Sequence, residues 1–214
     1  MTLAQLEFPK EVIQNGRISI FLDNNVWDFF HENCINLCEV FSSNWFNISV
    51  TKHVEFESAA ISSPGKETLK SFIDNTMESC VTVRSYFGFF DDRFSESQQR
   101  AGGGSCLFNS NRCGGEFSNL GAEAFRKELI EMYPQSNDVS KIKKSGMMPN
   151  ETDIDLAVRS MNAIVLTCDC KPGPLKIAAE RGHFVVFLND YTDKSSCLLS
   201  YICSKLPLKT TFST

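Results

Sequence analysis

Long apolar runs are missing from this chain: no stretch approaches the ~18 consecutive apolar residues that a helical membrane span needs. A basic segment followed by an apolar one is missing as well, because Met1–Phe8 is interrupted by Gln5 and Glu7. Both absences lead to the expectation of a cytoplasmic protein that does not enter a membrane. Positive charge is in deficit, with 21 Lys and Arg against 26 Asp and Glu and a net charge of −5, which excludes a general coat for polyanions. Nucleic acid can still be met locally, through metal ions held by carboxylates. The paired short spacings of zinc modules do not occur among the nine cysteines, since Cys168-x-Cys170 and the distant Cys106 and Cys113 form no such set. A thiol-rich zinc or redox module is therefore the weakest functional reading. With no secretion signal the thiols are expected to be reduced, most of them buried and unpaired. Cys34 and Cys38 fall on the apolar face of Val26, Phe29, Phe30, Leu37 and Phe41, as small core hydrophobes. Internal repeats are absent. Gly102-Gly103-Gly104 is followed by no Gly-Lys-Ser/Thr, which makes it a flexible loop and not a phosphate cradle.

What is present is an alternation of strand-like and helix-like segments. At 214 residues the chain is read as one domain, 1–214, with an insertion. Pro9–Gln14 reads as a short helix stopped by Gly16. Ile18–Asp23 is a near-continuous apolar run, the pattern of a strand covered on both faces, and a helix follows from about Val26 to Phe41. Phe46–Thr51 is a second strand. Lys52–Ile61 and Lys66–Ser79 are helices, and Cys80–Phe90 is extended. Asp91–Ser118, rich in Gly, Ser, Asn and Arg, has no usable period and is expected to be a long surface loop. Asn119–Tyr133 and Asn150–Asn162 return to helix, with the basic cluster Lys141, Lys143 and Lys144 between them as a solvated face. Ala163–Asp169 is another buried strand, Pro174–Arg181 a helix closed by Gly182, His183–Leu188 a last strand and Ser195–Leu206 a terminal helix. The order predicts an α/β fold with a mostly parallel sheet built from βαβ units.

Two of these strands run into carboxylates, Asp23 and Asp169, which a parallel sheet places at one edge. That edge is where open α/β sheets hold ligands. Asp23 there is either a metal ligand among convergent carboxylates or a cap for the next helix. In the helix after the second strand, Glu57 shares a face with His53, Phe56 and Ala60, while Glu55 lies opposite. Asp153 and Asp155 flank the stripe Ile154, Ala157, Val158 and Met161 on either side, and helical geometry does not choose between them. Lys171 follows Asp169 closely enough to meet a phosphate.

Four segments together carry a resemblance: Ile20-Phe21-Leu22-Asp23-Asn24-Asn25-Val26, Ile48 through Glu57, Asp153-Ile154-Asp155-Leu156-Ala157, and Val165-Leu166-Thr167-Cys168-Asp169. They resemble the PIN domain, a family of metal-dependent nucleases with a parallel sheet between helices and four acids at one edge. The resemblance covers about residues 17–61 and 150–189. It implies a three-layer α/β/α fold in which Asp23, Glu57, Asp153 and Asp169 are the catalytic acids and hold Mg²⁺ or Mn²⁺. Asp153 is chosen because the family's acid precedes a Leu/Ile-Ala pair by three residues. Asn25, Thr167 and Lys171 are taken toward the substrate. Asn24 stands where the family usually has Ser or Thr. The implied activity is endoribonuclease cleavage of RNA, toxin-like, with an antitoxin-like protein inhibitor as a partner. The rival from another class is a silent PIN-like interaction protein whose acidic pocket takes a partner's basic side chain. Crowded acids predict at least one raised carboxyl pKa in the ion-free protein.

Overall fold

Asn15 and Gly16 set a tight turn between the first two strands. In the computed structural model, which describes residues 6–61, 64–84, 120–133, 150–192 and 197–207, β1 (Ile13–Gln14) pairs antiparallel with β2 (Arg17–Leu22), Gln14 opposite Arg17. The two residues between have φ of 50° and 75°, the left-handed pair that a two-residue hairpin requires and that Asn-Gly tolerates best. The short helix expected over Pro9–Gln14 shrinks to a single 3₁₀ turn at Lys10–Val12, because the hairpin claims the last two residues. The glycine-rich segment Asp91–Ser118, the lysines 141, 143 and 144, and Cys106 and Cys113 lie outside the described residues.

The middle of the sheet is β2, whose residues Ile18–Leu22 are all buried although they alternate between its faces. It pairs in parallel with β3 (Phe46–Thr51) on one side. Beyond β3 lies β4 (Val81–Arg84), again parallel. On the other side of β2 is β5 (Ile164–Thr167), followed by β6 (Val185–Phe187), both parallel. The order is β4-β3-β2-β5-β6, with β1 added to β2. The protein is thus α/β with a mostly parallel sheet. The chain builds outward from β2 to β4 and then returns to β2's other side, so the direction of winding reverses between β2 and β5. Their carboxyl ends flank the crevice where such sheets bind ligands.

Among the described residues there are eight helices. The single helix expected from Val26 to Phe41 is two: α1 (Val26–Glu32) and α2 (Leu37–Val40). Asn33 ends the first by donating its side-chain amide to the carbonyl of Phe29 at 2.7 Å, and Cys34 follows in the left-handed region at φ 52°. Asn36 restarts the helix, its Oδ1 accepting from the amide of Cys38 at 3.1 Å. α3 (Lys52–Ala59) is capped by Thr51, whose Oγ1 accepts from Val54 N at 3.3 Å. α4 (Glu67–Cys80), α5 (Leu120–Met132), α6 (Glu151–Arg159), α7 (Pro174–Glu180) and α8 (Leu198–Lys205) follow. α7 begins with Pro174 in its first turn and gives way to Gly182 at φ 75°. None of the helices among the described residues is long and apolar enough to cross a membrane.

The cysteines depart from expectation. Cys38 at α2 is bonded to Cys80 at the end of α4, across a sequence separation of 42. Cys34, Cys170 and Cys197 are exposed, and Cys168 and Cys203 are half-buried. The helix is broken at Cys34, which is exposed, and the restarted α2 holds Cys38 within bonding distance of the end of α4. Closing a loop of that length stabilises by about 4 kcal/mol in the chain-entropy view, and measured values are commonly 2–4. A reductant should lower the melting temperature accordingly. The Cys38→Ser/Cys80→Ser protein should melt at the reduced wild-type value and ignore the reductant. Equal melting with and without reductant in the wild type would show that the bond contributes nothing.

Candidate active site

Asp23 is the first residue beyond β2 and Thr167 the last of β5. Since Leu22 lies opposite Leu166, the next step along the two strands sets Asp23 beside Thr167. The ladder continues into this step, with Asp23 N donating to Leu166 O at 3.0 Å. The Asp23 carboxylate is then enclosed by donors. Thr167 Oγ1 donates to Oδ2 at 2.7 Å and Asn25 Nδ2 to the same oxygen at 2.6 Å. Asn24 N donates to Oδ1 at 2.7 Å. Asn25 is itself fixed by the amide of Cys168, which donates to its Oδ1 at 2.6 Å. The Thr167 oxygen also accepts from Asp169 N at 3.0 Å, so one hydroxyl links the two acids of the strand ends. Asp169 Oδ1 accepts from Lys171 N at 3.0 Å.

This arrangement excludes one of the two readings of Asp23, the cap. The N-cap of α1 is Asn25, and the Asp23 side chain is committed to Asn24, Asn25 and Thr167. It is not a helix cap. It also corrects the strand end: β5 stops at Thr167, two residues before Asp169, which sits half-buried in the turn beyond. Lys171 is exposed, and it is its backbone amide that is tied to the site. Asn25 and Thr167 use their side chains to hold Asp23.

Asp23 is 3 % exposed, and its pKa is pushed from 3.8 up to about 7. Burial is the largest cause, followed by the charge of Asp153. The hydrogen bonds from Thr167 and Asn24 oppose the rise, and Glu57 adds to it. A raised carboxyl was expected from crowding alone; at Asp23 burial does more than the neighbouring acids. Glu57 and Asp153 are both half-buried, on α3 and α6, so acids from two helices act on one buried group. Asp155, the alternative on α6, does something else. It is buried at 3 % exposure, with Oδ2 3.3 Å from His53 Nδ1 and Oδ1 3.4 Å from Arg159 Nε. Burial alone would raise its pKa, but Arg159 and His53 outweigh burial and hold it below the ordinary aspartate value.

The inward stripe of α3 is shifted from the expected one. His53, Val54 and Ser58 are buried, while Phe56 and Ala60 are exposed, which leaves Glu57 on the stripe's flank. Glu55 pairs with Lys52 one turn back. Ser58 carries a contact that the sequence did not reveal. Its hydroxyl donates to Asn24 Oδ1 at 2.9 Å and accepts from Trp27 Nε1 at 3.1 Å. Asn24, the departure from the PIN pattern, thus fastens α3 next to Glu57 to the end of β2. Nothing local signals this pairing, because the partners are 34 residues apart.

No protein-family model matches this chain, and neither does any curated protein or solved structure. The chemistry of the donors is what remains. Among the described residues no three His, Cys, Asp or Glu side chains close into a metal-ligating group, and the expected acids are linked only by the charges of Glu57 and Asp153 on Asp23 and by the Thr167 hydroxyl between Asp23 and Asp169. The donor set nonetheless suits a hard cation: it is all oxygen, and its central carboxylate is penalised for its charge when no cation is near. Thr167→Val removes both the donor to Asp23 and the acceptor for Asp169 N. The Asp23 pKa should then climb further, read by carboxyl carbon NMR, and Mn²⁺ affinity should fall ~10–100-fold, as for other outer-sphere partners. An Asp23 titration unchanged by the substitution would contradict the role given to the hydroxyl.

Proposed function

We propose that this chain is a Mg²⁺- or Mn²⁺-dependent phosphodiesterase, an endoribonuclease of PIN-like, three-layer architecture. The observation that carries the proposal is Asp23, a buried carboxylate at the reversal point of a parallel sheet, with Asp153 and Glu57 bearing on its charge. A single buried acid would relax by keeping its proton, whereas three acids around one point favour a cation. Asp23, Glu57, Asp153 and Asp169 are the residues assigned to hold it. A bound divalent ion lowers the pKa of water and offsets charge developing on the phosphoryl oxygens.

The rest of the work falls to the chain. Thr167, Asn25 and Asn24 keep the Asp23 carboxylate in one orientation, so it does not reorganise during reaction. Asn25 and Thr167 thus serve the substrate indirectly, through the carboxylate they orient, and Lys171 is the exposed cation assigned to a substrate phosphate. RNA is proposed as substrate on the strength of the PIN resemblance. The same acidic pocket also suits an inserted arginine or lysine, which relieves the charge on Asp23 as an ion does. An antitoxin-like inhibitor, or a silent protein that only binds such a partner, follows from that reading. Incubating labelled single-stranded RNA with wild type in Mn²⁺, with wild type in EDTA and with Asp23→Asn in Mn²⁺ separates them. Cleavage in the first reaction alone supports the nuclease, and intact RNA in all three supports the binding protein.

A further inference from the structure

The nuclease reading leaves unexplained the buried charge at Asp155. That carboxylate joins two helices: Oδ2 meets His53 Nδ1 of α3 at 3.3 Å, and Oδ1 meets Arg159 Nε of its own α6 at 3.4 Å. The guanidinium of Arg159 in turn lies 4.7 Å from the ring of Phe21 in β2. Arg126 of α5 also feels Asp155, together with Glu151 of α6. An ionised aspartate only accepts, so the proton of His53 sits on Nδ1 and is aimed at α6. The helices joined here are the two that carry the outer acids of the site. Glu57 is one turn after His53 on α3, and Asp153 is two residues before Asp155 on α6.

Both Glu57 and Asp153 raise the pKa of Asp23, which means that each of them repels its ionised carboxylate. Repulsion of this kind drives α3 and α6 away from β2. We propose that the Asp155–His53 bridge is a strut that holds α3 to α6 against this repulsion, making Asp155 and His53 positioning residues for Glu57 and Asp153. Arg159 anchors the strut to the sheet through Phe21. Buried ion pairs add little net stability compared with apolar packing, and fixing geometry is their best-attested service. The inference rests on the metal-site reading only in naming Glu57 and Asp153 as the groups to be placed.

A double-mutant cycle tests it without any metal. At pH 8 and without divalent ions, Glu57→Gln removes one repelling charge while keeping the shape of the side chain, and should raise the melting temperature. In an Asp155→Asn background the helices are free to separate, repulsion is already relieved, and most of that rise should vanish. A merely structural ion pair gives the same rise in both backgrounds, since independent sites add. If Asp155→Asn fails to fold, His53→Gln breaks the same bridge from the other helix without stranding Arg159. Calorimetric titration with MnCl₂ completes the set, with affinity expected to fall ~10–100-fold in the bridge variants. Additive stabilities overturn the strut whatever the affinity of the wild type. A wild type that takes up no Mn²⁺ while the cycle is non-additive overturns the metal reading and upholds the strut.

Discussion

Asp23→Asn should abolish the proposed Mn²⁺-dependent cleavage yet leave the ion-free protein more stable than wild type at pH 8 and less stable at pH 4. The sign change follows from two opposed terms. An aspartate pushed from 3.8 to about 7 in the folded state disfavours folding once ionised, by about 4 kcal/mol above pH 7. Its contribution is most favourable below the unfolded value of 3.8 and is lost progressively as pH rises to about 7. Asparagine never carries that charge. It does turn an amide NH₂ toward donors, because Thr167, Asn25 and Asn24 all donate to the native carboxylate. That mismatch costs about 1–3 kcal/mol. At pH 8 the relief exceeds the mismatch. At pH 4 the wild-type side chain is protonated in the folded protein, the relief has fallen below about 1 kcal/mol and the mismatch remains. Urea unfolding at the two pH values reads both signs. A variant equally stable to wild type at both would mean that Asp23 carries no ionisation penalty. Cleavage should fall by more than the roughly 100-fold typical of losing an outer-sphere partner, since the variant loses the central ligand itself.

Mn²⁺ should raise the melting temperature of the wild type, and raise it more at pH 8 than at pH 5.5. An ion that binds only the folded state stabilises by RT ln(1 + [L]/Kd), about 2.7 kcal/mol at a hundredfold excess. In a protein of this size each kcal/mol is worth roughly 2–4 °C, giving a shift of about 5–10 °C. Below about pH 7 the ion competes with the proton on Asp23, so the shift shrinks and binding releases a proton. Asp155, whose pKa is held low, stays ionised across this range and contributes nothing to the difference. Thermal scans across a Mn²⁺ series at both pH values give the answer. A pH-independent shift, or one retained by Asp23→Asn, would place the ion elsewhere.

Much of the frame was legible because the apolar runs at Ile18–Leu22 and Ala163–Leu166 can only be buried strands, and the acids after them mark one sheet edge. Phe46–Thr51 needed no correction at all. The Asn15-Gly16 turn was equally legible, because that dipeptide favours a two-residue hairpin over the end of a helix. Other features had no local signal. The left-handed conformation at Cys34 breaks a stripe that is regular on paper, and with it went the expectation of buried thiols. Ser58–Asn24 and His53–Asp155 pair residues 34 and 102 positions apart, so only the folded chain brings them together. Asp153 and Asp155 were symmetric about the apolar stripe. What separates them is which groups they act on: the charge of Asp153 bears on Asp23, while Asp155 pairs with His53 and Arg159.

The most direct test is an anomalous-scattering map from crystals soaked in millimolar MnCl₂ at pH 8. The account predicts a manganese peak within coordination distance of the Asp23 carboxylate, with ligands drawn from Glu57, Asp153 and Asp169 and with Asp155 still turned toward His53. Crystals with no peak at Asp23, or with manganese held only by other residues, would contradict it.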